Sequence, residues 1–147
     1  MTKLKAIRWF MGYVTGERIV IAKEKFNCSN YAMDIYNECP RLKLPNSLDI
    51  APDECDKIFR KDFVERCPMA KGFSNITITL LHEAGHWATR SLMNEIVYSK
   101  MAEQAESQEM YMKIPWEHLA TEWAICWLYC PFNRKMAKLF EKDFFGY

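Results

Sequence analysis

The 147 residues include 20 basic and 19 acidic side chains, so the chain carries almost no net charge. This balance argues against a surface that coats nucleic acid, because such a surface needs an excess of lysine and arginine on one face. Half of the residues are apolar and about a quarter are charged, as in ordinary globular proteins. The length fits one domain over residues 1–147.

Lys3, Lys5 and Arg8 interrupt the apolar residues at the N-terminus, so this segment does not read as a secretion signal. No uncharged run approaches the roughly 20 apolar residues of a membrane-spanning helix. We therefore expect a cytoplasmic protein without a membrane or nucleic-acid partner. Its six cysteines are expected to be reduced and to act as small buried side chains. Cys126 and Cys130, one helical turn apart among aromatic residues, are expected in the core.

The segment over residues 4–23 fits two different secondary structures. Alternating apolar residues and the turn Thr15-Gly16-Glu17 favour a hairpin whose second strand begins at Arg18. The same segment also carries an apolar helical face, formed by Leu4, Ile7, Phe10, Met11 and Val14. With the hairpin, the sequence predicts an α+β fold that is mostly helical and has a small N-terminal β-sheet.

The next segments are predicted to alternate between helical and extended structure. Ser29 can cap a short helix, and residues 44–50 look extended. Asp53 begins an acidic first turn, and the apolar spacing that follows predicts a helix that ends before Pro68.

The second half of the chain is predicted to be helical. Ser74 or Asn75 caps a helix that ends near Arg90, and Pro115 begins another that continues to about Cys130. The C-terminal stretch is amphipathic, and we expect it to dock on the domain as a helix.

The helix in the middle of the chain carries the motif His-Glu-x-x-His, formed by His82, Glu83 and His86. Positions four apart share one face of a helix, so the two imidazoles can bind one metal ion. Glu83 lies about 100° around the helix and can accept a proton from a water molecule that attacks a carbonyl. Gly85 costs a helix about 1 kcal/mol relative to alanine, which indicates close approach by another element. The motif predicts a zinc site.

A catalytic zinc site needs a third protein ligand, and carboxylates later in the chain are the candidates. Glu106 has the spacing found in thermolysin-like enzymes, but it lies in a polar stretch typical of a solvated face or loop. Glu117 begins the most apolar helix, in which Ala120 and Ala124 leave room for the metal helix. We therefore favour Glu117, with Glu106 and Glu122 as alternatives.

These residues resemble a known family. Residues 79–86 read Thr-Leu-Leu-His-Glu-Ala-Gly-His, and residues 117–124 read Glu-x-x-Ala-x-x-Trp-Ala, which is similar to the ImmA/IrrE metallopeptidases. The resemblance implies a minimal zincin-like domain in which Glu83 is the general base and zinc is bound by His82, His86 and Glu117. It also implies a cytoplasmic metalloendopeptidase that cleaves a protein or peptide substrate, such as a transcriptional regulator.

The sequence leaves other interpretations open. Thr121 stands where the family usually has asparagine and Trp123 where it has phenylalanine, so the substrate is not assigned. The main alternative is a catalytically idle zincin-like module that sequesters a protein partner, and a hydrolase of non-peptide amides is a third possibility. His118, directly after the favoured third ligand, is a candidate for stabilising the oxyanion, a role that Tyr98 or Tyr111 can also fill.

Overall fold

The computed structural model describes residues 3–16 and 54–146, and the regular structure within these ranges is helical. The helices are α1 (Lys3–Thr15), α2 (Glu54–Arg66), α3 (Asn75–Ala88), α4 (Glu95–Gln104), α5 (Gln108–Met112), α6 (Pro115–Leu128) and α7 (Pro131–Phe145). Short 3-10 helices cover Pro68–Gly72 and Arg90–Leu92. Among these helices, none combines the length and the apolar character needed to cross a bilayer.

The predicted α+β fold with an N-terminal β-sheet is wrong for the described part of the chain, which contains no strand. The predicted hairpin begins instead with α1, whose side chains are buried at helical spacing: Ala6, Ile7, Phe10, Met11 and Val14. Gly16 has a φ of 76° directly after the helix. A glycine in this left-handed conformation ends helices as readily as it forms turns, which is why the turn signal was ambiguous.

Three predicted features lie outside the described residues: the strand from Arg18, the short helix capped by Ser29 and the extended segment at 44–50. The helices predicted from residue 53 onward are confirmed. Ser74 caps α3 by accepting a hydrogen bond from the Thr77 backbone N–H at 3.4 Å. The polar stretch after α3 holds α4 and α5, neither of which contributes a buried residue.

Aromatic side chains join the first helix to the last two. The Phe10 ring of α1 stacks on Phe140 of α7 with centroids 4.5 Å apart, and it meets Trp127 of α6 edge-on at 5.9 Å. Such pairs add to the free energy gained by burying the rings. Phe140 and Phe144 are buried, so the C-terminal helix is docked as predicted.

The cysteines depart from expectation. Cys67 is buried, but Cys126 and Cys130 are exposed, so their predicted location in the core is wrong. Cys126 lies on the outer face of α6, whose opposite face is buried, and Cys130 lies just beyond the helix as the N-cap of α7. All three are free thiols.

A buried carboxylate fixes the start of α3. Glu141 of α7 is 3% exposed, and its Oε2 accepts hydrogen bonds from the Ser74 backbone N–H at 2.6 Å and from the Thr77 hydroxyl at 2.7 Å. Its other oxygen, Oε1, lies 3.4 Å from Lys138 Nζ. Negative charge is stabilising at a helix N-terminus, where backbone N–H groups lack partners within the helix. The C-terminal helix therefore sets the position of α3.

We expect Glu141→Ala to lower the free energy of unfolding by about 2 kcal/mol, because it removes the charged acceptor shared by the Ser74 backbone N–H and the buried Thr77 hydroxyl. Chemical denaturation measures this change. Asp143→Ala on the same helix is the control, since Asp143 is exposed and should change stability by about 0.5 kcal/mol at most. Equal effects of the two substitutions would show that Glu141 does not anchor α3.

Candidate metal centre

The site forms where α3 crosses α6, the most extensive helix contact in the described ranges. A Cβ atom on Gly85 would lie 2.9 Å from Ala120 Cα and closer still to the Ala120 carbonyl oxygen. These are backbone atoms, so only glycine allows this approach. The prediction that Gly85 and Ala120 permit close packing of the metal helix is confirmed.

The crossing brings together the three predicted ligands. Glu117 Oε2 lies 3.2 Å from His82 Nε2 and 2.7 Å from His86 Nε2. One ligand atom from each residue lies within 4.8 Å of the others, so this group could hold a metal ion. Glu117 is 5% exposed, and the histidine side chains are 13% and 11% exposed, so all three are largely shielded from water.

The donor set fits zinc. Two imidazole nitrogens and one carboxylate oxygen are the usual protein ligands of a catalytic zinc ion. Ligands bound tetrahedrally at the usual zinc distances lie about 3.3 Å apart. The 3.2 Å between His82 Nε2 and Glu117 Oε2 matches this spacing, and the 2.7 Å between His86 Nε2 and Glu117 Oε2 is shorter, so these two atoms would have to separate when zinc binds. The Nδ1 atom of His86 is buried without a hydrogen-bond partner among the described residues. Among the described residues, the His86 ring is therefore held through Nε2 and lacks the second hydrogen bond that usually orients a metal-bound histidine.

Thr121 orients the His82 ring from the side opposite Glu117. Its hydroxyl lies 2.8 Å from His82 Nδ1, so Nε2 is directed at the carboxylate. A hydroxyl can donate or accept, and it therefore satisfies Nδ1 in either tautomer of the ring. Thr121 lies one helical turn after Glu117. Helix α6 therefore supplies both the ligand Glu117 and the hydroxyl group that orients the His82 ring.

Burial and hydrogen bonding set the charge states of the ligands. Burial would raise the pKa of Glu117, but the hydrogen bonds with His82 and His86 outweigh it and hold that pKa far below its usual value. Burial lowers the pKa of His82, despite its hydrogen bond with Glu117. An ionised carboxylate and a neutral imidazole are the forms that bind metal ions.

Glu83 directly follows His82 in α3 and is not part of the ligand group. Burial raises the pKa of Glu83 to about 7, while the charge of His86 acts to lower it and that of Glu117 to raise it further. A pKa in this range suits a group that accepts and returns a proton at neutral pH.

Two tyrosines lie at Glu117 Oε1, the carboxylate oxygen that is not paired with the histidines. The Tyr98 hydroxyl donates a hydrogen bond to Glu117 Oε1 at 3.2 Å and lies 2.7 Å from the Tyr111 hydroxyl. Burial raises the pKa of Tyr98 to about 12 and that of Tyr111 further, so both keep their protons at neutral pH. Sequence reasoning named both tyrosines as oxyanion candidates but missed this contact, because it joins α4 and α5 to α6.

The other candidates lie away from the cluster. Glu106 is exposed between α4 and α5. Glu122 forms an ion pair with Arg66, and its Oε1 lies 3.5 Å from His118 Nε2. The His118 side chain is 54% exposed. The structure therefore brings Glu117 to the histidines and does not bring His118 to them, so a catalytic role for His118 stays a prediction.

No protein-family model, curated protein or solved structure matches this chain. The likeness to the ImmA/IrrE metallopeptidases thus stays a likeness in the motif residues.

We expect Tyr98→Phe to weaken zinc binding by about 10- to 100-fold, because it removes the hydrogen bond that orients Glu117. Competition with a chelator of known affinity measures this change. Tyr129→Phe is the control, since Tyr129 is 59% exposed and lies at the opposite end of α6 from Glu117. If Tyr98→Phe lowers kcat but leaves zinc affinity unchanged, Tyr98 stabilises the transition state and does not position the ligand.

Proposed function

We propose that the protein is a zinc-dependent metallopeptidase. The observation that carries the proposal is that His82, His86 and Glu117 each place a ligand atom within 4.8 Å of the others, with a separate carboxyl, Glu83, directly after His82 on the same helix. Three protein ligands leave a coordination position open, as in catalytic zinc sites. Structural zinc sites use four protein ligands and have no use for an additional carboxylate that does not bind the metal.

Each residue has a distinct task in this proposal. Zinc held by the two histidines and Glu117 supplies Lewis acidity and makes water a nucleophile at neutral pH. Glu83 accepts the proton of the attacking water and returns it to the amine that leaves. Tyr98 and Thr121 keep Glu117 and His82 oriented, and the close crossing at Gly85 keeps the ligands together.

We propose a protein or peptide substrate in the cytoplasm, and a transcriptional regulator is the candidate that the motif resemblance favours. The alternative is a module that keeps the metal and sequesters a protein partner without cleaving it. Both interpretations need His82, His86 and Glu117. Only the enzyme needs Glu83, so this residue separates them.

We expect protein purified without added metal to contain about one zinc ion per chain. Replacing His82, His86 or Glu117 with alanine should lower both zinc content and thermal stability, because metal binding is linked to folding. Elemental analysis and thermal unfolding measure the two effects. Glu106→Ala is the control and should change neither. Loss of zinc from Glu106→Ala, with zinc kept in Glu117→Ala, would contradict the proposed ligand set.

We expect Glu83→Gln to retain zinc and to lower turnover by a factor on the order of a hundred or more, because glutamine has the same shape but cannot accept the proton. Wild type and variant are expressed side by side in the native host, and peptide termini are compared across the proteome. Termini that depend on Glu83 would support a peptidase. Identical termini, with partner function kept in the variant, would instead support the sequestering module.

A further inference from the structure

A cleft lies between α4 and the first turns of α6. It has a volume of about 170 Å³, and the side chains that line it include Val97 and Met101 from one helix and Trp116 and Leu119 from the other. No charged residue lines the cleft. An apolar cavity of about 150 Å³ is large enough to hold benzene, so this cleft can hold one large apolar side chain.

The cleft shares a wall with the candidate metal centre. Trp116 lines the cleft, and its ring lies 4.1 Å from the His86 ring between centroids. Tyr98 lines it too, with its ring edge-on to Trp116 at 5.2 Å and its hydroxyl on Glu117. A group seated in the cleft therefore packs against two rings that contact two of the three ligands.

The side of the cleft formed by α4 and the turn before it exposes large apolar side chains. Leu92 is 72% exposed, Val97 52% and Met101 36%, and all three line the cleft. Adjoining apolar side chains left open to water mark binding sites more often than isolated ones do. Asn94 and Tyr98 are the polar residues among the lining, as in ligand sites where a few polar groups fix orientation.

We propose that this cleft binds one large apolar side chain, of leucine or phenylalanine size, from the peptide that crosses the metal centre. The proposal rests on the proposed peptidase function and adds the substrate class. The shared wall places such a side chain beside the ligands, so the bond to be cleaved is one close to that residue. The cleft would then contribute both affinity and selectivity, by removing apolar surface of the substrate from water.

The first test measures binding alone, in the zinc-loaded protein. N-acetyl-leucinamide should shift the NMR signals of Met101, Leu119 and the Trp116 indole, and N-acetyl-glycinamide should not. Val97→Asp places a charge in the cleft and should abolish these shifts. Ile96→Asp is the matched control, because Ile96 is its neighbour in the first turn of α4, is 71% exposed and does not line the cleft. Both variants place an acid at similar positions in the helix, so their effects on its stability should be alike.

The second test uses hydrolysis of a peptide library. Wild type and Ile96→Asp should prefer peptides with a large apolar residue beside the cleaved bond, and Val97→Asp should lower that preference by about tenfold or more. Hydrolysis without this preference, or with a preference unchanged in Val97→Asp, would overturn the cleft proposal and leave the peptidase function intact. If no peptide is cleaved, the proposed peptidase function is wrong. The NMR titration with N-acetyl-leucinamide then tests binding in the cleft on its own.

Absence of shifts with N-acetyl-leucinamide would also overturn the proposal. The proposal would also be overturned if the chain between residues 17 and 53 occupied the cleft. Cross-peaks in the free protein between that segment and the methyl groups of Val97 and Met101 would show that the chain itself fills the cleft. Equal shifts in wild type and Val97→Asp would mean that the amide binds elsewhere, which contradicts the proposal.

Discussion

The close crossing of α3 and α6 determines the geometry of the site. At Gly85 the helices approach so closely that a methyl group would overlap the backbone of Ala120. Alanine at position 85 would favour the helix by about 1 kcal/mol, yet it would force the two backbones apart, and overpacking of this kind costs about 1–3 kcal/mol. The short interhelical distance is what lets Glu117, one turn before Thr121, reach both histidines of the facing helix.

The same crossing buries a carboxylate, and the surrounding groups compensate for its charge. Glu117 is 5% exposed, and an ionised carboxylate is costly to bury unless it is paired and hydrogen-bonded. One oxygen faces both imidazoles, and the other accepts a hydrogen bond from Tyr98. Because α4 buries no residue of its own, the contacts of Tyr98 with Glu117 and Trp116 attach this helix to the site. Tyr98 therefore belongs both to the surroundings of the ligand Glu117 and to the wall of the cleft, so a change in one affects the other.

Local patterns in the sequence were sufficient for the features that lie within one helix. The shared face of His82 and His86 follows from helical spacing, and Ser74 was recognisable as a cap. The N-terminal sheet was predicted wrongly because Ile7 and Met11 satisfy both an alternating and a helical pattern, and Gly16 serves a turn or a helix end equally well. Long-range contacts removed the ambiguity: α1 buries its helical face against α3 and α7.

Features that depend on packing between helices were harder to predict. Cys126 was assigned to the core because aromatic residues surround it in the sequence, but such neighbours do not determine which face of the helix is turned outward. The hydrogen bond between Tyr98 and Glu117 joins residues on separate helices through the tertiary fold, and no sequence spacing indicates it. Glu117 itself was predictable because a carboxylate on the buried face of an apolar helix requires a partner, and the histidine motif was the partner available.

Glu83 bears most directly on the difference between an enzyme and a binding module. Burial raises its pKa to about 7, which means that the surroundings disfavour its ionised form. A group held in this way lowers stability at any pH where it must be charged, and zinc binding by His82, His86 and Glu117 does not require it. Glutamine would fill the same space without that cost. The proton transfer proposed for Glu83 would account for a carboxyl group at this position, which packing alone does not favour.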